Sequence, residues 1–369
     1  MSGGYGLRRL GLLAGALVLL TACGGTSTTT STTSAANAKS AADVGGMSAL
    51  VTAAKKEGKL NVIAVPPDWA NYGAIISGFT AKYGIAITSA NPNGSSQQEV
   101  DAIKQLAGTD RAPDVVDVGM KVAVANTTLF APYQVSTWKD IPASQKEASG
   151  LWFQDYGGYM AIGYDSSKVN PTSVADLLGG AYKSKVALAG DPTQSNQGLN
   201  GVMMAAIANG GSVSDISKGV DFFHQLKQKG NFVPLVGTGA TVKAGQTPVL
   251  IQWDYLSQTH VKDVPSWKVI LPSNAVLGGF YAQAINKQAP HPAAARLWEE
   301  YLYSDEGQNL WLKGGARPVR MDAMQKAKTL NSADAAALPP VKGTPVFMSE
   351  DQSTAAGAYI ASHWAQAIG

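Results

Sequence analysis

Lys59-Leu-Asn-Val-Ile-Ala-Val65, Ile85-Ala-Ile-Thr-Ser89 and Asp114-Val-Val-Asp-Val-Gly119 are three short, largely apolar runs separated by two helical stretches. Runs of this length fit strands buried on both faces. After the first, Tyr72 to Lys82 puts Ile75, Ile76 and Phe79 on one helical face, and Gly84 stops it. After the second, Asn93-Gly94 turns the chain into a helix from Ser95 to Leu106, with Gln98 three residues past a Ser cap. The order βαβαβ predicts an α/β fold built on a doubly wound sheet, whose ligands sit beyond the carboxyl ends of the strands.

Further along, the pattern repeats. Strands are expected at Lys185 to Ala189 and Pro248 to Trp253, and helices at Gly198 to Ala208 and Ile216 to Lys229. Strands at Trp267 to Leu271 and Gly279 to Ile285 then read as a return, followed by helices at Pro292 to Leu302 and Asp305 to Leu312. The sequence therefore divides into a first lobe (46–155), a second lobe (156–262) and a return to the first lobe with C-terminal helices (263–369). About 320 residues beyond the N-terminal region exceed one ordinary core, which agrees with two lobes.

Toward the N-terminus, Arg8 and Arg9 precede an apolar run from Leu10 to Leu20 that is too short to span a bilayer. Residues 1–22 read as a secretory signal. Leu20-Thr21-Ala22-Cys23 resembles the bacterial lipobox, which implies lipidation at Cys23, the single cysteine of the chain. The Arg pair leaves twin-arginine export open. Residues 23–45 read as a flexible tether, being rich in Ser, Thr, Gly and Ala up to Lys39. No later apolar run reaches membrane-spanning length, and a net charge of +3 without a basic cluster argues against nucleic acid.

Several segments resemble the extracellular solute-binding proteins of ABC importers, in the branch that binds polyamines, thiamine, phosphonates and ferric iron. They are Glu57-Gly-Lys-Leu-Asn-Val, Pro113-Asp-Val-Val-Asp-Val, Gly190-Asp-Pro-Thr-Gln-Ser, Pro290-His-Pro-Ala-Ala-Ala-Arg-Leu-Trp and Tyr303-Ser-Asp-Glu-Gly-Gln. The resemblance implies two α/β lobes of the type II periplasmic-binding-protein kind, joined by hinge crossings. It implies a small-molecule ligand in the cleft, a permease and ATPase as partners, no cofactor, and a monomer held by its lipid outside the cytoplasmic membrane. Crossings are expected near 155–164 and 254–279, where Gly157-Gly158 and Gly278-Gly279 could absorb rotation or simply form turns.

Three groups of residues are candidate ligand contacts. Asp68, Trp69 and Tyr72 follow the first strand, and Trp69 with Tyr72 resembles the Trp-x-x-Tyr of spermidine/putrescine-binding proteins. Asp155 and Tyr156 precede the first crossing, and Trp253, Asp254 and Tyr255 end a strand of the second lobe. An aromatic face beside a carboxylate suits an organic cation, with Asp254 as the expected countercharge. Each residue also has a plain reading: core packing for the rings, a helix cap for Asp68, a brace for Asp155. Thr193 and Ser195, entering a helix, suit either an oxyanion such as a phosphonate or phosphate ester, or simple capping. Ferric iron remains a further alternative, although no Tyr-Tyr pair occurs and Tyr156/Tyr159 and Tyr301/Tyr303 are spaced differently. No GxSxG, HExxH, Walker A or strand-linked GxGxxG motif is present, and the four histidines lie in unlike contexts. An enzyme or a surface scaffold on this fold is thus the weaker expectation.

Overall fold

The computed structural model describes Met1 and residues 34–369. Cys23, the apolar leader and residues 24–33 lie outside the described residues. The chain runs through α1 (Met47–Glu57), β1 (Lys59–Ile63), α2 (Tyr72–Tyr83), β2 (Ala86–Ala90), α3 (Ser96–Gln105), β3 (Val115–Gly119), α4 (Met120–Ala125) and β4 (Phe130–Ala131). The long strand β5 (Phe153–Asp165) leads to β6 (Val186–Leu188), α5 (Asn196–Ala208), α6 (Ser217–Gln228), α7 (Gly239–Lys243), β7 (Val249–Trp253), α8 (Asp254–Thr259) and β8 (Trp267–Ile270). Then come β9 (Leu277–Asn286), α9 (Pro292–Leu302), α10 (Asp305–Lys313), β10 (Arg317–Pro318), α11 (Met321–Ala327), α12 (Ser332–Ala336), β11 (Val346–Phe347) and α13 (Glu350–Ile368).

Local chemistry sets the early boundaries. Gly58 and Gly84 close α1 and α2 in the left-handed conformation, and Ser95 with Gln98 forms a reciprocal capping box at α3. β1 and β2 pair in parallel. Just ahead of β3, Asp114 N donates to Asn61 O of β1 (2.9 Å), while β3 itself ladders antiparallel with β9.

β5 carries the chain between lobes. Its first half pairs with β9 and its second half, from Met160, pairs with β7 and β8. β8 thus pairs with the same half of β5 as β7 does, and β9 with the other half. α13 likewise packs mainly on α6 of the second lobe, with Trp364 against Phe223 and Phe232. Gly158 and Gly279 sit within these strands for space. A Cβ on Gly158 would overlap Asp254, and one on Gly279 would come within 2.5 Å of the Trp253 ring.

The end of the stretch read as tether is folded. Ala35–Asn37 and Ala41–Val44 form 3-10 turns, and Ala38 is fully buried. Arg296 of α9 explains this. Its buried guanidinium donates to Ala38 O (2.8 Å) and Ala36 O (2.9 Å), carbonyls that satisfy a charge which would otherwise be stranded. The start of α9 is bound by Glu57, whose carboxylate accepts from Ala293 N (3.0 Å) and Ala294 N (2.8 Å). Among the described residues no helix is long and apolar enough to cross a membrane.

Candidate ligand site

The loop after β1 holds Ala64, Ala70 and Asn71 at φ of 56°, 45° and 66°. Non-glycine residues in this region cost about 1–3 kcal/mol each and persist only where neighbours enforce them. Here Asn71 Nδ2 donates to Leu310 O (2.7 Å) and Gly73 N to Pro67 O (2.9 Å). The loop delivers Trp69 to Tyr156, its Nε1 donating to the phenol oxygen at 2.7 Å.

Tyr156 OH in turn donates to Asp117 Oδ2 (2.9 Å), and Tyr72 OH donates to the same oxygen (2.8 Å). Gln283 Nε2 bridges Tyr72 OH (3.0 Å) and Asp155 Oδ2 (2.8 Å), while Asp155 Oδ1 accepts from Tyr156 N (2.6 Å). Around this network stand the rings of both lobes. Tyr281 meets Trp69 edge-on (5.8 Å) and lies nearly parallel to Tyr156 (5.9 Å). Tyr255 lies 6.1 Å from Trp69 and nearly parallel to Trp253 at 6.4 Å.

Asp117 is the acid within this box. Val116 and Val118 of β3 pack on Val100, Ile103 and Ala282, so strand alternation turns Asp117 to the opposite face, toward α2 and β5. Its Oδ1 is buried with no hydrogen-bond partner among the described residues. Burial pushes the carboxyl up to about 7, against the two tyrosine hydroxyls that favour its ionised form. Desolvation raises Asp155 and Glu99 as well, and Glu99 Oε2 accepts from Asp117 N (3.0 Å).

Of the residues singled out in the sequence, Trp69, Tyr72, Asp155, Tyr156, Trp253 and Tyr255 come together here. Asp254 lies beside them but is already partnered: Arg317 forms an ion pair with it, and Tyr159 N and Tyr255 N each donate at 3.0 Å. The guanidinium also covers the Tyr159 ring at 4.7 Å. Asp68 is exposed, and the cap position before α2 is held by Asn71. Thr193 is exposed and bonds back to Asp191 (2.7 Å), whereas Ser195 caps α5 by accepting from Gly198 N (3.2 Å). Tyr303 OH donates to Phe153 O (2.9 Å) and Tyr159 faces Arg317, so the spaced tyrosine pairs are not gathered. Among the described residues no three His, Cys, Asp or Glu side chains are grouped to hold a metal.

Sequence reasoning missed Asp117, Tyr281, Gln283 and Arg317. One signal was available for Asp117: an acid in the middle of the run Val115-Val-Asp-Val118.

A model of the family described as bacterial extracellular solute-binding protein matches residues 112–342. Similar solved structures include the periplasmic binding protein P5PA, at 19% identity over 85% of this chain and 100% of that one, TM-score 0.65. The ferric binding protein from Campylobacter jejuni is 16% identical over 84% of this chain and 99% of its own, TM-score 0.62. The spermidine/putrescine ABC transporter substrate-binding protein PotD from Streptococcus pneumoniae is 14% identical over 84% of this chain and 99% of its own, TM-score 0.59. No curated protein matches the chain. At these identities the structural likeness is one of fold, a two-lobed binding-protein fold, while the family match spans more than half of the sequence and includes Asp117, Tyr156, Trp253 and Tyr281. The chain belongs to the bacterial extracellular solute-binding protein family.

Proposed function

We propose that this protein captures a small organic cation, an amine of the polyamine or thiamine type, and hands it to the permease and ATPase of an ABC importer. One observation carries the ligand reading: the Asp117 carboxylate, buried among aromatic rings with one oxygen unpartnered among the described residues. An ammonium entering the box meets a countercharge and ring faces together, and a desolvated cation–π contact contributes about 2 kcal/mol. Asp117 takes the role first expected of Asp254, because Arg317 already neutralises Asp254.

Trp69, Tyr72, Tyr156, Trp253 and Tyr255 are the proposed walls, and Asp155 orients Gln283 behind them. The oxyanion alternative draws less support, since the Ser195 hydroxyl is engaged in its own helix cap. Ferric iron draws less still: burial and the neighbouring carboxylates raise Tyr72 and Tyr156 well above their ordinary range, away from the phenolate form. The family's role is transport, and capture without turnover is the proposed activity. With the lipobox read as an anchor, the mature protein sits on a lipid at Cys23, outside the cytoplasmic membrane, as a monomer.

Thermal melting against putrescine, thiamine, methylphosphonate and ferric citrate tests the reading. An amine should raise the melting temperature where the anion and the iron do not. Stabilisation by methylphosphonate or ferric citrate alone would overturn it.

A further inference from the structure

Trp69 Nε1 donates to Tyr156 OH (2.7 Å), and Gln283 Nε2 donates to Tyr72 OH (3.0 Å). An indole N–H and an amide NH2 only donate, so they fix the direction of the hydrogen bonds that follow. Each phenol accepts from them and gives its own single proton to Asp117 Oδ2, from Tyr156 at 2.9 Å and from Tyr72 at 2.8 Å. Two relays, one starting in the loop after β1 and one on β9, thus converge on one carboxylate oxygen. The two oxygens of Asp117 therefore differ. Oδ2 is held by two hydroxyls, whereas Oδ1 is buried with no hydrogen-bond partner among the described residues, on a side chain only 8% exposed. A buried acceptor without a donor leaves its desolvation uncompensated.

Ring faces by themselves suit a quaternary ammonium as well as a protonated amine, since both present positive charge to the π-system. Asp117 Oδ1 asks for more. Its bond is completed by a donated hydrogen, and a quaternary nitrogen has none to give, its methyl groups holding the charge away from the oxygen. We infer that the site discriminates by the N–H: it takes protonated primary, secondary and tertiary amines, each through one N–H on Asp117 Oδ1, and rejects quaternary ammonium and thiazolium nitrogens as the group seated there. The inference rests on the amine reading above and narrows it to the polyamine side. The relays make Asp117 selective by committing both phenol protons to Oδ2, which leaves Oδ1 for the ligand.

Calorimetric titration of the whole protein at pH 8 with putrescine methylated stepwise at both ends tests this. The series runs from the primary diamine through the methylamino and dimethylamino forms to the bis-trimethylammonium form, and only the last step removes the final N–H. That step should weaken binding at least about tenfold, the loss of one hydrogen bond to a charged group, and by more than either earlier step. In Asp117→Asn the two phenols hold the amide oxygen and its NH2 stands where Oδ1 was, so the last step should no longer stand out, read at the higher ligand concentrations this weaker variant needs. A bis-trimethylammonium form that binds the wild type as tightly as the dimethylamino form would overturn the inference and leave a cation site standing. A loss spread evenly over the steps, or falling on the earlier ones, would mark exclusion by size and overturn it too, as would a last-step loss that persists in Asp117→Asn. Absence of binding by every member of the series would overturn both the inference and the amine reading.

Discussion

Replacing Asp117 by Asn removes one charge and keeps the shape of the side chain. An amide oxygen still accepts from the Tyr72 and Tyr156 hydroxyls, which bond the carboxylate at 2.8 and 2.9 Å. Two consequences follow, of opposite sense. In the unliganded protein, burial lifts the carboxyl from its ordinary 3.8 to about 7. Keeping it ionised at pH 8 thus destabilises the fold by about 4 kcal/mol, an order-of-magnitude figure that Asp117→Asn should largely recover. With an ammonium bound about 4 Å away, an effective dielectric near 20 makes the lost attraction about 4 kcal/mol as well, roughly three powers of ten in Kd. Calorimetric titration with putrescine and thermal melting, both at pH 8, read the two effects. The expected variant melts higher than wild type and binds putrescine far more weakly, the pattern of a site that holds strain for function. An Asp117→Asn protein that binds putrescine as tightly as wild type would refute the countercharge role.

The pH dependence has a fixed sign. A carboxyl raised on folding keeps a proton that the unfolded chain releases between pH about 4 and about 7, so stability of the unliganded protein should fall as pH rises through that window. Asp117→Asn should lessen this slope in melting curves, with the raised Asp155 and Glu99 carrying what remains of it. Over the same window amine affinity should climb as Asp117 ionises and level off above about 7; titration curves that stay flat from acid to neutral pH would count against the site. Arg317→Leu leaves Asp254 buried without its cation and should lower stability by about 3–5 kcal/mol, with Asp254→Asn added in the same chain restoring part of it. A single variant that melts like wild type would remove this pair from the account. Cys23→Ser should move the protein from the membrane fraction to the soluble fraction of its host, and an unlipidated, already soluble wild type would end the anchor proposal.

The strands and helices around residues 59–119 were legible because each rests on local chemistry. Apolar runs gave β1 and β3, Gly84 ended α2, and Ser95 with Gln98 opened α3. Residues 35–44 were not legible as folded structure. They are held by Arg296, some 260 positions away, and their own composition is that of a linker. The aromatic side of the proposed site could be read from Trp69, Tyr156 and Trp253, rings that stand beside expected strand ends in the sequence. Its charges could not. Asp254 has a Trp and a Tyr as neighbours in sequence, which made it look like the countercharge, yet its partner Arg317 is 63 residues away. Asp117 has only valines and a glycine nearby, and its tyrosine partners are 45 and 39 positions distant. Sign and pairing of buried charges are tertiary facts, set by which elements the fold brings together.

The most direct test is the identity of the molecule that stays bound when the protein is purified without denaturation from its own host. Native mass spectrometry of wild type and Asp117→Asn, side by side, reads it. The account predicts a small amine on the wild type, absent from the variant. A phosphate-bearing solute or an iron ion, retained equally by both proteins, would contradict it.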